Sequence, residues 1–134
     1  MRAVLRGCAL AAALTLDAVA LAAQVDYTRA ERFLPWNASP LVAARREMIE
    51  ESGYDSERVE ALGSIHPNPA IQNNHCHSFV AYDVEQRHVP TFDSTEETEV
   101  VLVPLAHIPD LIRAGDITHA LVVVAFHWLA LRRD

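Results

Sequence analysis

Ser39-Pro40 and Gly53 bracket a stretch that has little choice but to be a helix. Serine is a good N-cap, and proline suits the first helical position, where its missing N–H costs nothing. Glycine is the cheapest residue in the left-handed conformation that closes many helices. Between them, Leu41 to Ser52 is rich in Ala, Arg, Glu, Leu and Met, all good helix formers. At about 100° per residue, Glu47, Glu50 and Glu51 fall within roughly 100° of arc. Leu41, Val42, Ala44, Met48 and Ile49 occupy much of the remainder and are expected to face the core. Arg46 stands four residues before Glu50, the spacing at which the two side chains pair on a helix.

Three carboxylates on one helix face suit a hard divalent cation, which takes oxygen ligands and shares them with a substrate's phosphates. Three glutamates alone also fit a plain solvated face. The surrounding residues narrow the choice. Arg46-Glu47-Met48-Ile49-Glu50-Glu51-Ser52-Gly53-Tyr54 reads R-E-U-x-E-E-x-G-U, with U a bulky apolar residue. It is similar to the second half of the Nudix box, G-x5-E-x7-R-E-U-x-E-E-x-G-U, and the chain thus resembles a Nudix hydrolase. Counting back from Arg46, the box glutamate and glycine fall on Ala38 and Arg32, so the first half of the box is not kept.

The resemblance implies an α/β/α sandwich with a mixed sheet, carried by residues 39 to 132. Residues 1 to 38 offer no clear counterpart of the family's first strands, which are expected to be missing or replaced. By the match, Glu47, Glu50 and Glu51 would hold Mg²⁺ or Mn²⁺, and Arg46 would orient the glutamates. The ion would neutralise a diphosphate and make a water acidic enough to attack at neutral pH.

A second likeness covers Thr95-Glu96-Glu97-Thr98-Glu99-Val100, the run Val101 to Leu105, and Gly115 through Leu129. It resembles the C-terminal region of ADP-ribose pyrophosphatases. That branch implies a catalytic glutamate on the loop before this run, and Glu96 is the candidate, with Glu97 next; Glu51 and Arg46 complete the catalytic set. In the loop His66 to Asn74, the amides Gln72, Asn73 and Asn74 stand where the branch often carries acid. Asn73 and Asn74 are candidate ribose or phosphate contacts, and equally plain turn-formers.

The substrate expected is a small nucleotide, ADP-ribose or a related nucleoside diphosphate sugar, cleaved to a nucleoside monophosphate and a sugar phosphate. The alternative is a truncated, inactive Nudix-like module that binds a nucleotide or partner, as Arg32 and Ala38 suggest. The branch also implies a homodimer.

Length and charge add bounds. A chain of 134 residues holds one domain. Its net charge of −7 argues against nucleic acid as a non-specific partner, since no basic patch exists to release counterions. All 11 basic residues are arginine. Cys8 and Cys76 make no disulfide framework. Residues 1–24 read as a signal-like leader: a short basic start, an apolar run Cys8 to Leu16, and Ala20-Leu21-Ala22 resembling a cleavage site. Residues 25–38 are unassigned, and 39–134 form the domain. The apolar run is shorter than the about 18 residues of a membrane span. The expected location is cytoplasmic, or secreted or periplasmic if residues 1–24 act as a true signal.

Strands are expected at Val59–Ile65 (broken by Gly63), His77–Val84 and Val100–Leu105, with helices at Pro109–Ala114 and Ala120–Leu131, the last capped by Asp116 or Thr118. His75 and His77 share a strand face while Cys76 points the other way, and no second Cys/His pair completes a zinc set.

Overall fold

A computed structural model describes residues 11–15, 18–26, 39–91 and 100–132. Helix α1, Pro40–Ser52, begins and ends as its caps dictate. Ser39 is extended and its Oγ accepts the Val42 N–H at 3.3 Å. Gly53 closes the helix at φ 75°, its N–H donating to the Ile49 carbonyl at 2.9 Å.

The side of α1 that packs agrees with expectation at Ala44 and Met48 and differs elsewhere. Ala43, Ala44, Met48 and Ser52 are buried, whereas Leu41 and Val42 are 37% and 57% exposed. The helix meets the sheet through small side chains, which let the two backbones approach closely. Hydropathy alone ranks Leu41 and Val42 above Ala43 and Ser52, so the expected stripe took in the first pair and left out the second. Ser52 is tolerated in the interior because its Oγ donates to the Met48 carbonyl at 2.5 Å and accepts the Tyr54 N–H at 3.2 Å.

The main sheet has the order β4-β5-β2-β1-β7. Its strands are β1 (Ala11–Thr15), β2 (Ala18–Asp26), β4 (Arg58–Ile65), β5 (Cys76–Tyr82) and β7 (Val103–Pro104). β1 pairs antiparallel with β2, and β2 and β4 pair antiparallel with β5 on its two sides. β7 lies parallel to β1, with Ala13 opposite Val103. The sheet is therefore mixed, as expected.

Ala11–Thr15 and Ala18–Asp26 are strands where no family-like strand was legible, so the sheet reaches back past residue 39. The physical reason lies in β2's position. It is third of five strands and contacts helices of both layers. A strand covered on both faces reads as a continuous apolar run without alternation, which resembles the apolar part of a leader.

Other boundaries shift for local reasons. β4 carries a register irregularity between Ala61 and Gly63, so the glycine marks a bulge rather than a break. β5 stops at Tyr82 instead of Val84, because Asp83 takes φ 52° and turns the chain. The expected strand Val100–Leu105 pairs only at Val103–Pro104; it goes no further because proline has no N–H with which to continue a ladder. Two strands too short to show in any pattern, β3 (Tyr54–Asp55) and β6 (Glu85–Gln86), form a small second sheet.

Helix α2 (Ile108–Ala114) ends at Gly115, with φ 80°, and α3 (Ala120–Leu131) follows. The N-cap of α3 is His119, without a side-chain hydrogen bond, in place of the Asp116 or Thr118 expected. Val80 packs with Ile108, Ile117, Val122, Phe126 and Leu129 between the sheet and these helices. Phe79 and Ala81, also buried, alternate to the opposite face, where α1 lies. Helices on both faces of a mixed sheet make an α/β/α sandwich.

Trp128 locks α3 onto the sheet at Gly63, where a Cβ would stand 2.7 Å from the indole. Gly63→Val should therefore destabilise the fold by about 1–3 kcal/mol. Combined with Trp128→Ala, the added cost should largely vanish, measured as a double-mutant cycle in urea denaturation.

Candidate active site

The carboxylates of α1 emerge where the helix hands the chain to β3. Arg46 sits among them. Its guanidinium meets Glu50 through Nη1 at 2.7 and 3.0 Å, and its Nη2 donates to Glu47 Oε1. All three side chains are between a third and a half exposed, so the cluster faces outward yet is not fully solvated. Arg46 Nε is buried with no hydrogen-bond acceptor, so the arginine's fixed fork is committed to the two glutamates. Glu51, one residue on, completes the acidic face.

Two devices fix this helix end. The first is Gly53. Its carbonyl accepts the N–H groups of Arg87 and His88 at 3.1 and 3.0 Å. A Cβ there would collide with the His88 carbonyl and come within 3.1 Å of Pro90, so glycine is required by space as well as by φ. Thr91 N–H then donates to the Glu50 carbonyl at 2.8 Å. The segment after β6 is thus laid against the carboxylate helix.

The second device was not foreseen from the sequence. Arg45 grips Asp55 bidentately, Nε to Oδ1 at 2.7 Å and Nη2 to Oδ2 at 3.0 Å, and reaches Glu57 at 3.3 Å. Asp55 is buried, and its Oδ1 also accepts the Ser56 N–H at 2.7 Å. The Arg45 hydrogen bond holds the Asp55 carboxyl below its usual range; burial opposes this, and the Ser56 N–H assists. The only sequence signal was an acid two residues past the closing glycine, which is too common to weigh.

The structure brings Arg46, Glu47 and Glu50 together. Glu96 and Glu97 lie outside the described residues, as do Arg32 and Ala38. The loop with Asn73 and Asn74 opens at the end of the β4–β5 hairpin away from the Arg58–Tyr82 pair, which adjoins β3. Strand β4 separates the two ends by its length, roughly 25 Å at about 3.3 Å per residue. Asn73 is exposed and Asn74 buried, and Asn68 closes a turn by accepting the Gln72 N–H at 2.9 Å. His77, near this loop, is held below the usual imidazole range by burial and then by the neighbouring His75.

Carboxylate oxygens are the right donors for a hard cation. With Arg46 drawn onto two of them, no three described His, Cys, Asp or Glu side chains converge on one point. The donor chemistry fits such an ion, and the side chains must turn from Arg46 to meet it. Among the described residues no helix is long and apolar enough to cross a membrane.

The family model of the NUDIX domain matches residues 33–123. The chain belongs to the Nudix family. Its curated relatives include a GDP-mannose pyrophosphatase of Salmonella paratyphi B (strain ATCC BAA-1250 / SPB7), 30% identical over 95 residues, 69% of this chain and 50% of that protein. Another GDP-mannose pyrophosphatase, of Escherichia coli O1:K1 / APEC, is 27% identical over 97 residues, 71% of this chain and 51% of that one. The chain spans about half the length of these relatives. A solved structure titled as an ADP compounds hydrolase superposes with TM-score 0.68 at 22% identity, covering 90% of this chain and 69% of that one. That likeness establishes the Nudix fold.

The Arg45–Asp55 pair makes a pH prediction. Asp55 titrates lower in the folded state, so its contribution is present above the unfolded carboxyl value, about 3.9, and is lost as pH falls through the folded value. Asp55→Asn should cost about 2 kcal/mol at neutral pH, the scale of a hydrogen bond to a charged group. Urea denaturation at stepped pH should show the gap between variant and wild type closing in acid below about pH 4.

Proposed function

We propose that the protein hydrolyses the diphosphate bridge of a nucleoside diphosphate linked to another moiety, ADP-ribose or a related nucleotide sugar such as GDP-mannose. The products are a nucleoside monophosphate and a sugar phosphate. The observation that carries this reading is the face of α1 on which Arg46 marshals Glu47 and Glu50 beside Glu51. Family membership supports it, as does the likeness to GDP-mannose pyrophosphatases.

Glu47, Glu50 and Glu51 would hold Mg²⁺ or Mn²⁺, which supplies charge neutralisation for the diphosphate and acidity for the attacking water. Arg46 supplies positioning: it offsets the mutual repulsion of two carboxylates one turn apart and restricts their rotamers. Glu96 is the proposed base. The chain leaves the Glu50 carbonyl at Thr91, five residues earlier, so Glu96 is within about 18 Å of chain reach of that anchor. A loop glutamate then needs only to come within hydrogen-bond distance of the water. Asn73 and Asn74 have weaker support as substrate contacts, given their place at the other end of the hairpin.

A second reading has its own support. Ala38 stands at the box glutamate, and an arginine that holds two carboxylates suits a module that binds a nucleotide without cleaving it. Turnover separates the two. Purified protein with Mg²⁺ should release AMP from ADP-ribose or GMP from GDP-mannose, and Glu50→Gln/Glu51→Gln should abolish release while keeping the far-UV spectrum. A folded wild-type chain that gains melting temperature with the nucleotide yet never consumes it would be the binding module.

Glu96→Gln should lower kcat by about a hundredfold, the usual scale of a lost general base, with little change in thermal midpoint. Unchanged turnover would remove Glu96 from the site.

A further inference from the structure

Glu50 and Glu51 sit in the last turn of α1, where a helix is least secured because its final carbonyls lack partners within it. Three of these carbonyls are met in different ways. That of Met48 takes Ser52 Oγ, and that of Ile49 takes the Gly53 N–H at 2.9 Å. The third belongs to Glu50. The Tyr54 N–H, which would reach it if the helix ran on, donates to Ser52 Oγ instead. Its partner is the Thr91 N–H, at 2.8 Å, from the segment after β6.

That segment is strapped across the helix end by its backbone. At one end the Arg87 and His88 N–H groups share the Gly53 carbonyl, and at the other Thr91 meets Glu50. Between the anchors Val89 is 85% exposed, and the side chains of His88 and Thr91 are exposed too. Pro90 is partly covered, with its Cδ 3.1 Å from the place that a Cβ on Gly53 would take. A strap that buries so little apolar surface is held by its hydrogen bonds. Pro90 stiffens it between them, since the ring fixes φ.

We propose that Thr91 is a positioning residue: through its backbone N–H it fixes the turn of α1 that presents Glu50 and Glu51. Glu50 is thereby held twice, by Arg46 at its carboxylate and by Thr91 at its carbonyl. The first contact orients the side chain. The second fixes the direction in which the side chain leaves the backbone, on which the place of the carboxylate depends. The role assigned to Thr91 rests on the hydrolytic reading of this face, and the hydroxyl of Thr91 has no part in it.

Three variants test it. Thr91→Pro deletes the N–H, Thr91→Ala keeps it, and Pro90→Gly keeps every donor but loosens the strap. Turnover of ADP-ribose and GDP-mannose with Mg²⁺ is measured beside amide exchange at Glu51, Ser52 and Gly53. Thr91→Pro should lower kcat by about tenfold or more and change KM by less than about twofold, because misplaced reacting groups cost rate rather than ground-state binding. Exchange at the three amides should quicken by about fivefold, the scale of one hydrogen bond. Thr91→Ala should restore both, and Pro90→Gly should move both in the direction of Thr91→Pro by less. Wild-type kcat and exchange in Thr91→Pro would overturn the proposal, as would a Thr91→Ala as impaired as Thr91→Pro. If far-UV spectra show Thr91→Pro unfolded, Pro90→Gly decides, and unchanged kcat and exchange there overturn it. Turnover absent from wild type would sink the hydrolytic reading, and exchange then decides whether Thr91 fixes the turn. Wild-type turnover unmoved by Thr91→Pro would remove the role of Thr91 alone.

Discussion

The left-handed turn at Gly53 decides where everything after the carboxylate helix can go. Its φ ends α1, and its carbonyl takes two N–H groups from Arg87 and His88. The space beside its α-carbon is filled by the His88 carbonyl. β3 can then pair with β6, and Thr91 can reach the carbonyl of Glu50. A side chain at this position meets both a conformational cost and a backbone collision. The turn therefore joins the helix, the small second sheet and the start of the acidic loop in one cooperative unit.

The Arg45–Asp55 pair works on the same junction from the other side. A bidentate guanidinium–carboxylate contact has directional demands that a hydrophobic patch lacks, so it restricts how α1 rotates about its own axis. That rotation determines whether Glu47, Glu50 and Glu51 face outward together. Adjacent arginines divide the labour: Arg45 fastens the helix to the strand beyond it, and Arg46 organises the glutamates. The small residues Ala43, Ala44 and Ser52 complete the arrangement by letting the helix lie close to the sheet.

Legibility followed the range of the interactions. The helix with its caps, the two short helices' stops and the pairing of Arg46 with Glu50 depend on neighbours within a few residues, and each was readable. The bulge at Gly63 showed only as a weak point in a strand, because its reason, the Trp128 indole, lies on another element. β2 was missed because a central strand with helices of both layers beside it need not show the alternation that marks a strand. The stripe of α1 was right at Ala44 and Met48 but was extended to Leu41 and Val42, because hydropathy weighs size, whereas close packing here also takes in the small side chains Ala43 and Ser52.

The sequence by itself determined the carboxylate helix, its boundaries and its kinship, since cap chemistry, helical periodicity and a spaced motif are local properties of the chain. Tertiary structure alone decided that residues 11–15 and 18–26 stand in the sheet, that Asp55 holds Arg45, and that His66 meets His75. These follow from strand register and from burial in three dimensions, which pair residues far apart in sequence and leave no periodic trace along it.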